Sequence, residues 1–352
     1  VVTDPLPAVV VGGGQAGLAA SFYLRRRGVE HLVLDAGDAP GGAWRHTWPS
    51  LRLFSPAAYS SLPGWRMPPT EGPDNPDAAH VIAYLAAYEQ RYDLPVRRPV
   101  RVRSVTRQDG LFLLDTDHGT RRAHAVVGAT GTWSRPFVPA VPGIADFRGV
   151  QLHSSRYAGP APFAGRRVLV VGGANSGAQV AADLLPVAEV TWATLGPPRY
   201  LPDEVDGREL FRVASASLRG EGDGVGSLGD IVAVPPVRRA RDAGELVATP
   251  MVARLTPDGA VAADETEHQL DAVVWCTGFR PELSWLAGLD VPRRAGRVVT
   301  DGGPTVPGVP GLFLLGYGDW CGAASATLIG VGQWARRVAE EVADHGAAAA
   351  RA

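Results

Sequence analysis

Residues 8–24 read AVVVGGGQAGLAASFYL: an unbroken apolar run enters a cluster of glycines and leaves as a helical pattern. A continuous apolar strand of this kind is buried on both faces, as strands of a parallel sheet are. Gly12, Gly14 and Gly17 fit GxGxxG. The first permits a sharp turn, the second lets backbone approach a pyrophosphate, and the third lets helix and strand pack closely. The helix that starts here, with Gln15 and Ala16 at its head, offers unpaired N–H groups and a positive dipole end to an anion. The next apolar run, His31–Leu34, ends at Asp35, followed by Ala36. An acid about 20 residues beyond the first glycine is where a ribose hydroxyl is read in a dinucleotide site.

The same grammar returns in residues 167–185, RVLVVGGANSGAQVAADLL, with Gly172, Ala174 and Gly177 at the three motif positions and Asn175 and Ser176 between them. Each motif is followed by short alternating strands and then by an apolar strand ending in Thr-Gly: AHAVVGATG, closing on Thr130 and Gly131, and LDAVVWCTG, closing on Thr277 and Gly278. The repetition predicts an α/β chain of two Rossmann-like dinucleotide-binding domains, each a parallel sheet with helices plus a small antiparallel meander. Two dinucleotides in one chain imply electron transfer between them. Near the C-terminus an apolar strand, Gly311–Leu315, precedes a glycine turn and a helix expected from about Ser325 to Ala343, with the final GAAAARA frayed. Residues 219–229, RGEGDGVGSLG, read as a mobile loop.

Composition narrows the chemistry. The chain has 352 residues, 45% hydrophobic and 20% charged, and all 34 of its basic residues are arginine. Schiff-base catalysis and the P-loop lysine are therefore excluded. A net charge of −2 without a basic block leaves no footprint for nucleic acid. The two cysteines, Cys276 and Cys321, form no CxxC pair, and the histidines have no metal-binding spacing, so no metal site is expected. With no apolar run of roughly 18 residues and no basic leader, membrane insertion and export are disfavoured, and a cytoplasmic location is the default.

The chain resembles the flavin-containing monooxygenases, class B members of the two-dinucleotide-binding-domain flavoproteins, and in particular bacterial flavoprotein monooxygenases. The resemblance rests on both glycine motifs, on Gly41-Gly42-Ala43-Trp44-Arg45, on Ala129-Thr130-Gly131, on Cys276-Thr277-Gly278-Phe279 and on Gly318-Asp319. It is sharpest in Phe147-x-Gly149-x-x-x-His153-x-x-x-Tyr157, similar to the monooxygenase fingerprint. Tyr157-Ala158 stands where Baeyer–Villiger members carry Trp-Pro or Trp-Asp, which favours the heteroatom-oxygenating and plant auxin-forming branches.

By the family pattern, residues 1–140 and 283–352 form a FAD-binding domain, with a NAD(P)H-binding domain, 141–282, inserted. FAD is then expected on Gly12, Gly14, Gln15, Ala16, Gly17, Asp35, Ala36, Gly42, Trp44, Arg45, Thr130, Gly131, Gly318 and Asp319, and NADPH or NADH on Gly172, Ala174, Asn175, Ser176, Gly177, Thr277 and Gly278. After Glu189–Thr194 relatives often carry arginine for the 2′-phosphate; here Leu195-Gly196 follow, and Arg199 is the nearest candidate. Catalytic candidates are His153 and Ser55, the latter standing in for an asparagine of many relatives. The implied activity is a monooxygenase using dioxygen through a 4a-hydroperoxyflavin on a small N, S, carbonyl or metalloid substrate. The alternatives are an oxidoreductase passing electrons without oxygen insertion and a non-catalytic flavin sensor. An apolar pocket lined by Trp44, Trp48, Phe54, Trp65 or Trp320 is expected, and a homodimer is one arrangement the sequence leaves open.

Overall fold

The computed structural model describes residues 4–72, 75–203 and 230–349. Its first sheet is built around β1 (Leu6–Val11), whose last four residues are buried. The chain turns at the glycines into α1 (Gln15–Arg26), which buries Ala16, Leu18, Ala19, Phe22 and Leu24 and ends on Arg25 and Arg26, complementing the helix dipole. It returns as β2 (His31–Leu34), parallel to β1 with Val10 opposite Val33. α2 (Ala78–Arg91) begins at Asp77, whose carboxylate accepts from the His80 N–H at 2.9 Å as an N-cap. β3 (Val96–Arg97) then extends the sheet. β4 (Val102–Gln108) and β5 (Leu111–Thr116) form a hairpin through Asp109 and Gly110, both at positive φ as a two-residue turn demands. β6 (Arg121–Gly128) returns to the centre, parallel to β1.

A second sheet follows, made of β7 (Val150–His153), β8 (Arg167–Val171), β9 (Glu189–Thr194), β10 (Ala248–Pro250) and, last in sequence, β14 (Ala272–Trp275). Its order, β10-β9-β8-β14-β7, is parallel throughout. α3 (Asn175–Leu184) follows the second glycine turn, and α4 (Pro235–Asp242) packs beside it. The meander β11 (Val252–Thr256), β12 (Gly259–Ala262) and β13 (Glu267–Gln269) is antiparallel.

After the short hairpin β15 (Arg293–Arg294) and β16 (Arg297–Val298), β17 (Leu312–Leu314) rejoins the first sheet. It pairs with the last residues of β6, whose first residues pair with β5. α5 (Val331–Ala349) packs along α1. This helix starts later than the sequence suggested. Ala324 sits at a positive φ, the Ser325 hydroxyl donates to the Gly318 carbonyl at 3.0 Å, and Thr327 Oγ1 accepts from the Gly330 N–H at 3.0 Å, so local side-chain bonds hold a turn where a helix was expected. Its far end differs too. The helix runs to Ala349, past the expected end near Ala343, and the last residues of the stretch expected to fray lie outside the described residues. The glycine-rich stretch 219–229 lies outside the described residues.

Candidate functional site

The two glycine turns are built alike. The Gly12 N–H donates to the Leu34 carbonyl at 2.8 Å, and the Gly172 N–H to Ala193 at 2.9 Å. Gly12 (φ +109) and Gly172 (φ +137) are in the left-handed region, and a Cβ on either would run into the carbonyl of the residue before its Thr-Gly pair, Ala129 or Cys276. Gly17 and Gly177 press on the carbonyls of Gly12 and Gly172. The repeated spacing thus records a repeated contact: the glycine turn seats on the end of the neighbouring strand.

Gly14 differs from these. Its backbone is extended (φ −80, ψ −171) and a Cβ there would meet no protein atom within 4 Å. No side chain caps α1 at Gly14 or α3 at Ala174. A helix start with free N–H groups beside a glycine cradle fits a phosphate, and both dinucleotides can be seated on that chemistry.

Around the first turn, the GGAW loop lies so close that a Cβ on Gly42 would meet the Gly14 Cα. Gln15 ties three segments together: its Oε1 accepts from Trp44 Nε1 at 3.0 Å and its Nε2 donates to the Ala326 carbonyl at 2.7 Å. Ala16 backs onto Gly316, and Arg45 pairs with Asp38 while Ala36 is exposed. Thr130 Oγ1 donates to the Glu282 carbonyl at 2.5 Å and lies 2.7 Å from the buried Tyr317 hydroxyl. Asp319 Oδ1 accepts from the Ala324 N–H at 2.9 Å, so the Gly318-Asp319 turn is braced from the segment before α5. Tyr317, Glu282 and Arg98, which pairs with Asp35, went unread in the sequence; of the three only Tyr317, beside Gly318, adjoins a motif.

In the second unit Asn175 spends its side chain internally, donating to the Asp230 carbonyl at 3.0 Å and accepting from the Val232 N–H at 2.9 Å. Arg199 is paired with Asp230 at 2.8 Å. Ser176 is half-buried in the first turn of α3, and Thr277 Oγ1 donates to the Phe137 carbonyl at 2.5 Å beside the exposed Gly278.

The fingerprint is a brace across this unit. Phe147 folds back over Gly149, where a Cβ would strike its ring and the Asp271 carbonyl. Tyr157 donates to Asp183 of α3 at 2.8 Å. His153 accepts at Nδ1 from the Ser155 N–H at 3.1 Å, so Nε2 carries the proton and donates to the Gly278 carbonyl at 2.9 Å. Burial lowers its pKa, against the raising effect of the Gly278 bond, and the neutral ring is the form held. Both ring nitrogens are occupied by the protein.

Ser55 is likewise bonded within its own segment. Ser60 Oγ donates to the Pro56 carbonyl at 3.1 Å and takes the Ser55 proton at 3.1 Å, so the Ser55 hydroxyl is spent on its neighbour. Beside it lies a cavity of about 570 Å³ walled by Pro56, Ala57, Trp65, Met67, Pro69 and Asn75. Of the five aromatics expected around a pocket only Trp65 lines this one. Trp48 is buried against Tyr157, Trp320 tilts onto Tyr317, Trp44 is tied to Gln15, and Phe54 is exposed. Both cysteines are buried and unpaired, and burial pushes the Cys276 thiol up to about 12 and raises that of Cys321. Neither offers the accessible thiolate that disulfide exchange requires. Among the described residues no helix is long and apolar enough to cross a membrane.

This arrangement has counterparts among known proteins. Residues 9–202 match the family model of the pyridine nucleotide-disulphide oxidoreductases. A flavin-containing monooxygenase from Stenotrophomonas maltophilia is 48% identical, superposes with a TM-score of 0.90, and is covered over 99% of its length by 97% of this chain. The indole-3-pyruvate monooxygenase YUCCA1 of Oryza sativa subsp. japonica is 30% identical, with 88% of this chain and 86% of that protein covered. An uncharacterized CzcO-like oxidoreductase of Geobacillus kaustophilus is 29% identical, with 96% and 98% covered.

Proposed function

The chain belongs to the pyridine nucleotide-disulphide oxidoreductase family and, within it, to the flavin-containing monooxygenases, and on that premise we propose how its residues divide the work. It is a flavin-dependent oxidoreductase that uses FAD and NADPH. The observation that carries the reading is the doubled glycine turn, each ending on an uncapped helix and seated against its own Thr-Gly strand.

Gly12, Gly14 and the free N–H groups of α1 would hold the FAD pyrophosphate, Asp35 the adenosine ribose, and the Gly42–Trp44 and Gly318–Asp319 turns the remainder. Gly172, Ala174, Ser176 and the start of α3 would hold the coenzyme. Bound FAD supplies the redox chemistry that accepts hydride and activates dioxygen. The protein's share is to bring two dinucleotides together, orient them and exclude water. The cavity beside Ser55 has the size of a small-molecule site and is the room assigned to a small N, S, carbonyl or metalloid substrate.

NADPH added anaerobically should bleach the flavin, and subsequent oxygen with a panel of amines, sulfides and ketones should give one oxygenated product per NADPH. Stoichiometric hydrogen peroxide with every substrate would favour the electron-passing oxidoreductase instead. A flavin that NADPH does not bleach would favour a sensor.

His153 acts here through position. Its folded pKa lies below 6.5, so the unfolded chain takes up the proton first and the fold loses stability as pH falls below about 6.5; protonating the folded ring removes the Nδ1 bond from the Ser155 N–H and keeps the Nε2 bond to Gly278. His153→Ala is expected to raise the KM for NADPH about fivefold, the worth of roughly one hydrogen bond. The kcat–pH profile from pH ~5 to ~9 should keep its wild-type shape. A limb of that profile vanishing with the imidazole would return His153 to proton transfer.

A further inference from the structure

Beneath the first glycine turn lies a charged triad of which the motif accounts for Asp35 alone. Arg98, just after β3, donates from Nε to Asp35 Oδ2 at 2.7 Å and from Nη1 to Glu89 Oε1 of α2 at 2.7 Å. The Asp35 and Arg98 side chains are 13% and 10% exposed. They press on the turn itself, since a Cβ on Gly13 would land against Asp35 Oδ2 and Arg98 Nη2. Burial works against the Arg98 charge, but its bonds to Glu89 and Asp35 outweigh this and hold its pKa above the usual arginine value.

The duplication supplies an internal control. By the matched turn hydrogen bonds, the second-unit counterpart of Asp35 is Thr194, and a Cβ on Gly173 would touch Thr194 as one on Gly13 would touch Asp35. Thr194 Oγ1 simply donates to the Gly196 carbonyl at 2.8 Å. The ionic clamp belongs to the unit assigned the resident prosthetic group, and a neutral hydroxyl to the unit assigned the exchanging coenzyme.

We infer that Arg98 is a positioning residue for FAD: it holds Asp35 in place by Oδ2, leaving Oδ1, which accepts only a long 3.3 Å bond from the Gly37 N–H, as the edge for the ribose. Glu89 steers the guanidinium from its other side, linking α2 to cofactor retention. The inference rests on the assignment of FAD to the first turn.

The test is FAD release from diluted holoenzyme, followed by flavin fluorescence. Arg98→Gln should release FAD at least about tenfold faster, the scale of losing a buried ionic partner. In an Asp35→Asn background the same substitution should change release less than about threefold, since residues acting through one another are not additive. Arg98→Lys, which keeps the charge, should recover most of the retention. The absorption spectrum of the still-bound fraction should stay at wild type, because the ribose lies at the opposite end of FAD from the redox ring. Equal acceleration in both backgrounds, or wild-type retention by Arg98→Gln, overturns the inference. Wild-type protein that binds no FAD at all would instead remove the premise.

Discussion

Gly14→Val is expected to yield folded protein without bound flavin. The backbone at Gly14 is one that any residue adopts, and a Cβ there meets no protein atom within 4 Å, so the substitution costs the apoprotein little. The isopropyl group would fill the approach to the free N–H groups of α1, where a pyrophosphate must come into hydrogen-bonding contact. FAD affinity should fall at least ~100-fold, roughly 2.7 kcal/mol. Circular dichroism and thermal unfolding of the flavin-free variant should match those of wild-type apoprotein. Gly12→Val is a different experiment, because φ is +109 and the Ala129 carbonyl blocks the Cβ, so it should damage the fold and the site together. A Gly14→Val protein with the wild-type ratio of flavin to polypeptide would refute the assignment of the first turn.

The contrast between Gly12 and Gly14 also explains what was legible in the sequence. Gly12, Gly17, Gly172 and Gly177 are written into the chain by steric contact with backbone, so their spacing repeats wherever the contact does. The limits of β2 and β9 match those expected, and β2 is an apolar run that ends where the sheet does. The fingerprint spacing was visible, but its braces were not: nothing local pairs His153 with Gly278 or Tyr157 with Asp183. The Asp35–Arg98–Glu89 triad was hidden for the same reason, because charged side chains brought together from separate elements leave no period. The late start of α5 was missed because an apolar, small-residue segment reads as helix until the hydroxyls of Ser325 and Thr327 are seen bonding into the turn.

Thr194→Asp should convert the coenzyme preference. At the end of β9 the wild-type chain carries Thr194, an almost fully exposed Leu195 (95%) and Gly196, while Arg199, the nearest sequence candidate for a phosphate reader, is paired with Asp230. A neutral hydroxyl in the position that Asp35 holds in the first unit neither repels a 2′-phosphate nor grips it, so NADPH and NADH should be used with kcat/KM values within about tenfold of each other. A carboxylate placed there accepts a free ribose but faces a phosphate charge a few ångströms away, where like charges at a surface repel by up to about 4 kcal/mol before salt screening. Allowing for that screening, kcat/KM for NADPH should fall ~100-fold, while that for NADH stays within about threefold of wild type. Steady-state kinetics with both coenzymes, at constant flavin content and two ionic strengths, checks this, and added salt should narrow the gap. Parallel losses for the two coenzymes would mean that the end of β9 does not meet the ribose, and the equivalence of Asp35 and Thr194 would describe the fold without describing the chemistry.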